Sequence, residues 1–407
     1  MRALPIVLLV TLGVAPASRA PAQAAPGAAI RLGPVERRPR LAADADTNDA
    51  GAYFAHASRL LGENPSEAAT AFYWAARLDP SSAEALDGRR VSMLMRKYPL
   101  LKMYMEGGRR ARQNKDLKSL DSLAMRAVRL DPLYYRKYDL PALMEYYRSM
   151  LRQDYPNASP ADINGAIRDY LQGGSPYMRG WVAYSEGRLG DALTAYADAM
   201  KRVKNKGFLL TETARVLALQ GLLPSANDRF REAAVELAKV EEDRDEDVVF
   251  YNDRALVEHS RGVIFAKLGQ ADSARAALGR AITEDLSYFM AHVELGRLAI
   301  TQHDTATAVA ELGLAAELAA DKPWVHYLHG STLVAAGQHA DAVAPLRKAI
   351  TLEPLYAAPY FSLGQALERT GDTEAARQAY LGYLQRSPRR EIQSRQQANE
   401  RAASLAP

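Results

Sequence analysis

The side chains able to do chemistry are few. Seven histidines are present, the residue type that titrates nearest neutrality. Only His326 and His329 fall on one helical face, with His292 lying 34 residues before His326. A zinc site would need further donors close by, so the plainer reading is hydrogen-bonded imidazoles at helix-packing positions. Asp243-x-Asp245-x-Asp247 and Asp44-x-Asp46-x-Asn48 carry the alternating oxygen donors of a calcium loop. The first lacks the turn glycine and the distal glutamate, and the second has Asp49 and Ala55 in those places, so both read as solvated loops. The absence of cysteine excludes a thiol nucleophile, cysteine-ligated zinc, iron–sulfur clusters and disulfides. Gly-x-Gly-x-x-Gly, phosphate-loop, His-Glu-x-x-His and Gly-x-Ser-x-Gly patterns are all missing. No catalytic residue, metal ligand or cofactor is assigned, and the expectation is a protein that is not an enzyme.

The elements around these residues are more informative. The chain has 407 residues, 48% of them hydrophobic, with 52 Lys+Arg against 48 Asp+Glu. That apolar content supports a folded core and argues against extended disorder, while a formal charge of +4 is too small for a general nucleic-acid coat. Met1-Arg2, the apolar run Ala3–Ala15 and Ala22-Gln23-Ala24 read as a cleavable signal peptide, 1–24, with the cut after Ala24. The apolar run is too short for a spanning helix. Large size, no cysteine and an Ala- and Arg-rich composition suit a bacterial periplasmic or secreted protein. Residues 25–48, rich in Ala, Pro and Arg, are expected to be a flexible tether.

A repeat dominates the remainder. Gly262, Gly296, Gly330 and Gly364 are spaced by 34 residues, as are Ala274, Ala308, Ala342 and Ala376. The same register recurs at Gly180, Ala192 and Ala199 and at Ala214, Ala226 and Ala233. A unit this short cannot enclose a core alone, so it must be a helix pair stacked on its neighbours. The small residues permit close backbone approach, and Tyr196, Phe230, Leu278, Leu312, Leu346 and Tyr380 fill the facing positions. Gly187, Gly221, Gly269, Gly337 and Gly371 fall where a first helix should end in a left-handed cap, with His303 departing from the column. Pro354 and Pro388 stop second helices.

With these residues the chain resembles the tetratricopeptide repeat (TPR) family, over 173–240 and 255–390, and more weakly at 49–82, where Ala68, Phe72, Ala75 and Pro80 match a second helix. The resemblance implies an all-α, right-handed α-solenoid of helix–turn–helix units. The expected organisation is degenerate TPR-like helices over 49–132, a tyrosine-rich helical junction over 133–172 and two units over 173–240. An acidic insertion over 241–254, four units over 255–390 and a capping helix within 391–407 complete it. Arg77-Leu78-Asp79-Pro80 and Arg129-Leu130-Asp131-Pro132 are near-identical helix terminators, echoed by Thr351-Leu352-Glu353-Pro354. The 34-residue period and export argue against a pentatricopeptide RNA reader, and no nucleic-acid partner is expected.

The resemblance also implies that first helices line a concave, partner-binding groove. The positions carried over are Tyr177, Trp181 and Tyr184; Phe208, Glu212 and Arg215; His259, Val263 and Lys267; Met290, Glu294 and Arg297; Trp324, Tyr327 and Ser331; and Phe361, Gln365 and Glu368. Plain packing of the aromatic members is the competing reading. The slots that bind a terminal carboxylate in chaperone-tail binders hold Tyr177, Trp181, Thr211, Arg215, Val293 and Arg297 here, which does not support that mode. From Arg89 to Lys137 there are 14 basic and 4 acidic residues, read as a solvated helical face or, more sharply, as a peripheral contact with anionic membrane. The functional expectation is a non-enzymatic scaffold of the bacterial envelope, holding a peptide or helix of an envelope protein for assembly or secretion. A structural or homo-oligomerising element with a self-filled groove is the alternative, and an envelope hydrolase or metal-binding protein the third.

Overall fold

The computed structural model describes residues 35–106, 114–133, 139–240 and 253–406, with twenty helices and no strand among them. The early helices are α1 (Ala50–Leu60), α2 (Pro65–Leu78), α3 (Ala83–Met95), α4 (Tyr98–Glu106), α5 (Lys115–Leu130), α6 (Asp139–Asp154) and α7 (Pro160–Gly173). Six hairpins follow: α8 (Pro176–Ser185) with α9 (Leu189–Met200), α10 (Gly207–Leu219) with α11 (Leu223–Val240), and α12 (Arg254–Lys267) with α13 (Ala271–Glu284). The rest are α14 (Phe289–Thr301) with α15 (Thr305–Leu318), α16 (Pro323–Ala335) with α17 (His339–Leu352), and α18 (Ala358–Thr370) with α19 (Thr373–Arg386); α20 (Ile392–Ser404) closes the stack. Asp49, Asn64, Ser82, Asn114, Ser159, Ser175, Asp253, Asp304 and Asp372 cap helix N-termini through their side chains, satisfying donors that the helix leaves unpaired.

The periodic columns do the packing expected of them. A Cβ built on Gly262, Gly296 or Gly330 would lie 2.6 Å from Leu278, Leu312 or Leu346 of the second helix in the same hairpin. Tyr196 and Tyr380 meet Gly180 and Gly364 at 2.5 and 2.8 Å in the same way. A larger residue on the first helix would therefore overpack each hairpin. The hairpin turns are left-handed at Gly187, Gly221, Gly269, Gly337 and Gly371, and His303 keeps the same turn at φ 58° without glycine's freedom. Ala398 and Ala402 of α20 are buried against Tyr380 and Tyr383, which covers the last hairpin as a solenoid end requires. Among the described residues no helix is long and apolar enough to cross a membrane.

The early helices lack the 34-residue columns and close back on the array. Arg77 at the end of α2 makes a two-pronged ion pair with Glu353, at 2.9 and 2.8 Å. Leu355 packs with Tyr53, Trp74 and Leu78. The segment 35–48, expected to belong to a flexible tether, is anchored from Val35 onward. Glu36 accepts from Trp74 Nε1 at 3.2 Å and pairs with Arg89 at 2.9 Å, and Arg38 lies 4.4 Å over the Trp74 ring. Asn48 then donates to Gln385 O at 2.9 Å, Asp44 O accepts from Arg389 at 3.0 Å, and Asp49 pairs with Arg390 at 3.1 Å. An indole buried under the backbone and an arginine stacked on it leave this strap no freedom to act as a spacer. Residues 1–34, including the expected signal peptide and the start of the tether, and 241–252 of the expected insertion lie outside the described residues.

Candidate helix-binding groove

The inner face of the array is carried by the first helices. Phe208, Leu256, Met290 and Trp324 hold one repeat position on α10, α12, α14 and α16. A solenoid helix packed only against its neighbours leaves this face to solvent. Here residues 209–216 of α10 and 255–260 of α12 are buried in unbroken runs, so both helices are covered all round.

Helix α5 is the cover. Its Met125 and Val128 pack with Phe208 and Leu256. Leu130 packs on the cluster containing Tyr288, Met290 and Trp324, and Leu133 on that of Val257 and Phe230. Arg129 pairs with Asp253 at 3.2 Å and lies 5.0 Å over the Tyr288 ring. Burial lowers the Arg126 pKa, with the Asp321 carboxylate opposing that shift. Arg215, fully buried and paired with Glu212 at 3.0 Å, donates from Nε to Pro132 O at 3.3 Å. The last turns of α5 and its Pro132 end thus meet the first helices through aliphatic contacts, a cation on a ring and charge-assisted hydrogen bonds, while α5 also packs on Ala83 and Leu86 of α3.

Thirteen of the groove residues named from sequence divide accordingly. Phe208, Arg215, Met290 and Trp324 lie under or beside α5 or its Pro132 end. His259, on the same helical face as Leu256, is completely buried with its Nδ1 3.1 Å from Tyr288 Oη, and its Nε2 has no hydrogen-bond partner among the described residues. Burial first, then the Arg297 and Arg129 charges, push its pKa down to about 3. Tyr184 does not line the groove: it is fully buried against Ala192, Tyr196 and Ala199, because α8 turns that side into its own hairpin. Tyr177 stacks on Tyr196 and meets Phe208 edge-on, and Trp181 packs between the early helices and the first hairpin, so packing accounts for that aromatic trio. Tyr327 meets Tyr356 at 5.3 Å, and Phe361 meets Tyr380 and Tyr383 at 5.8 and 5.2 Å. Gln365 is half-buried, while Lys267 and Arg297 are exposed, Arg297 pairing with Glu294 at 2.6 Å.

Sequence reasoning missed Asp253, Leu256, Tyr288, Arg129 and Leu130. The register of Leu256 with Phe208, Met290 and Trp324 was a usable signal, whereas the reach of α5 was not. The histidines do not converge: His292 pairs with Glu311 at 2.7 Å and His326 bonds Ala320 O at 3.0 Å. Asp46 is engaged by Asn48 N and the Arg389 backbone, while Asp243, Asp245 and Asp247 lie outside the described residues. In the basic stretch, Arg89, Arg90 and Arg129 are committed to Glu36, to Asp87 with Asp139, and to Asp253.

The family model described as Tetratricopeptide repeat matches residues 259–323 and 327–391. Similar solved structures include YrrB, described as a TPR protein with an unusual peptide-binding site, at 14% identity over 51% of this chain and 100% of that one, TM-score 0.40. MamA from Desulfovibrio magneticus RS-1 is 17% identical over 44% and 93%, TM-score 0.36. A tetratricopeptide repeat protein from Parabacteroides merdae is 14% identical over 68% and 98%, TM-score 0.36. No curated protein matches the sequence. The matched residues are the hairpins in which the glycine column meets Leu278, Leu312, Leu346 and Tyr380, and over these residues the chain is built of tetratricopeptide repeats.

Proposed function

We propose that the chain is a non-catalytic, exported interaction scaffold whose inner face is a helix-binding groove, holding its own α5 at rest and a helix of an envelope protein in use. The observation that carries this reading is α5 itself, with Met125 and Val128 packed with Phe208 and Leu256, Leu130 on the cluster that contains Met290 and Trp324, and Arg129 on Asp253 and Tyr288. A face able to hold one amphipathic helix by side chains at fixed intervals is suited to another. Pre-formed walls keep the ordering cost of such capture low. The signal peptide read in residues 1–24 supports a periplasmic setting for this scaffold, where assembly or secretion is the proposed use.

Crosslinking in living cells from a photoreactive residue at Lys267 or Arg297, both exposed on the inner stripe, tests the scaffold reading. A discrete protein partner identified by mass spectrometry supports it. Crosslinks only within the chain would reject it and favour a structural element with a self-filled groove. That alternative has its own support in the closure at Arg77–Glu353 and Asp49–Arg390. N-terminal sequencing of the protein from a periplasmic fraction tests export, with Ala25 expected first.

A further inference from the structure

Two early helices end on the same four residues, and both ends dock on the later repeats. Arg77-Leu78-Asp79-Pro80 closes α2 and Arg129-Leu130-Asp131-Pro132 closes α5. Asp79 sits at φ −129°, ψ 90° and Asp131 at φ −138°, ψ 97°, the extended geometry that a following proline imposes. Their backbone N–H groups donate to Ala75 O and Ala127 O. The two endings are one local structure.

What they meet is also alike. Arg77 reaches Glu353 and Arg129 reaches Asp253. Each carboxylate is fixed by backbone N–H groups: Glu353 accepts from Leu355 at 3.1 Å, and Asp253 from Ala255 and Leu256 at 3.0 and 3.3 Å. Arg129 also lies 5.0 Å over the Tyr288 ring of the array, whereas the rings beside Arg77, Tyr73 and Trp74 at 5.8 and 5.5 Å, belong to its own helix α2. Each leucine finds apolar cover from the later repeats, Leu78 with Leu355 and Leu130 on the Tyr288–Met290–Trp324 cluster. At the second site the ending is read further. Asp131 accepts from Leu133 N at 3.0 Å, which shapes the turn, and Pro132 O takes the hydrogen bond from buried Arg215.

A single such contact would be an ion pair. Its recurrence, with a backbone-held carboxylate and an apolar floor supplied by the later repeats, is a recognition pattern. Resting on the reading of the inner face as a helix-binding groove, we propose that this face recognises helices that end on Arg-Leu-Asp-Pro, and that the external partner presents a helix with that ending in place of α5. Lysine would not serve, because it lacks the planar fork and stacks poorly on a ring. Proline is required because it stops the helix and leaves its carbonyl free for Arg215. The aspartate closes the turn that aims that carbonyl.

The test uses a fluorescent peptide of residues 117–133 titrated into the full chain, read by anisotropy. An occupied site weakens apparent binding by the fraction that is free, so the Arg129→Ala/Leu130→Ala protein should bind the peptide about tenfold or more tighter than the unaltered chain. A peptide carrying Arg129→Lys, or a protein also carrying Asp253→Asn, should lose about tenfold through the broken pair. Equal binding by the two proteins, or a lysine peptide as good as the arginine peptide, overturns the proposal. Should the double variant lose its helical circular dichroism, hydrogen exchange on the unaltered chain decides. Excess peptide must then accelerate exchange in 115–130, and unchanged protection overturns the proposal. A binding peptide with no partner captured in cells would leave this recognition standing and remove the scaffold reading; a captured partner with an inert peptide would do the reverse.

Discussion

The hairpins from Pro176 to Arg386 and the early helices from Ala50 to Gly173 solve the same packing problem differently. In the hairpins, glycine and alanine recur in phase, and where glycine stands on the first helix a leucine or tyrosine of the second helix is buried against it. The early helices bury an apolar core that follows no fixed period, and buried ions join it there and where these helices close on the array. Arg90 is enclosed with Asp87 and Asp139 at 2.7 and 2.6 Å, and Glu353 with Arg77. Apolar columns are strong but interchangeable, since any repeat would stack on any other. Buried ion pairs add little net stability but tolerate only the right partner. The array is built by repetition and the closure by specificity.

Replacing Arg77 by Ala should break that contrast most visibly. It leaves the Glu353 carboxylate, whose side chain is 2% exposed, buried without its cation, a loss of about 3–5 kcal/mol where the chain cannot relax. Opening the seam rehydrates the carboxylate, so small-angle scattering should report a larger radius of gyration while hydrogen exchange in 254–386 stays slow. An unchanged radius with a lower melting temperature would show that closure and array are one cooperative unit.

The converse change lies in the array. Gly296→Val sets a side chain where Leu312 already sits at 2.6 Å and should cost about 1–3 kcal/mol. The loss should appear as faster exchange in α14 and α15 with the seam intact.

Acid probes the contact between the two regions. His259 is held at about 3 in the folded chain against an ordinary 6.5. The unfolded or released state therefore takes the proton first, and the stability contributed by neutral His259 is complete above pH 6.5. It is lost progressively as pH falls toward 3, on the order of 2 kcal/mol by pH 5. Denaturant midpoints measured from pH 7.5 to 5 should show this slope, and His259→Asn should flatten it. A slope of the opposite sign, or one unchanged by the substitution, would mean that His259 is not buried under α5.

The smallest effect sharpens the column itself. His303 holds φ 58° where five equivalent turns use glycine, so His303→Gly should stabilise the chain by up to about 1 kcal/mol in thermal melts. A loss of stability there would show that the imidazole has a contact outweighing its backbone strain.

The contrast also explains what could be read from sequence. Repeat stacking depends on neighbours a fixed distance along the chain, so Gly262, Gly296 and Gly330 announced both the hairpins and their leucine partners. The groove positions followed from the same register, which placed Phe208, Met290 and Trp324 on the inner face. Closure depends on residues separated by no fixed interval: Arg77 and Glu353 are 276 residues apart, Arg129 and Asp253 124. No period marks them. The duplicated Arg-Leu-Asp-Pro was visible, but as a helix stop, because one chain gives no hint that its arginine side chain reaches a distant carboxylate. Tyr184 failed for a local reason: the face it shares with Tyr177 is turned toward α9, where both pack with Tyr196.

The strap before α1 has a mechanical consequence. Asn48 is bonded to Gln385, and Asp44 and Asp49 are held by Arg389 and Arg390, so residues near the two extremities of the described stack are stitched side by side. Tension applied between residues 35 and 405 would load these few polar stitches in series before it reached any hairpin. Under load the molecule should first spring open like a clasp, at low force, and only then unravel repeat by repeat.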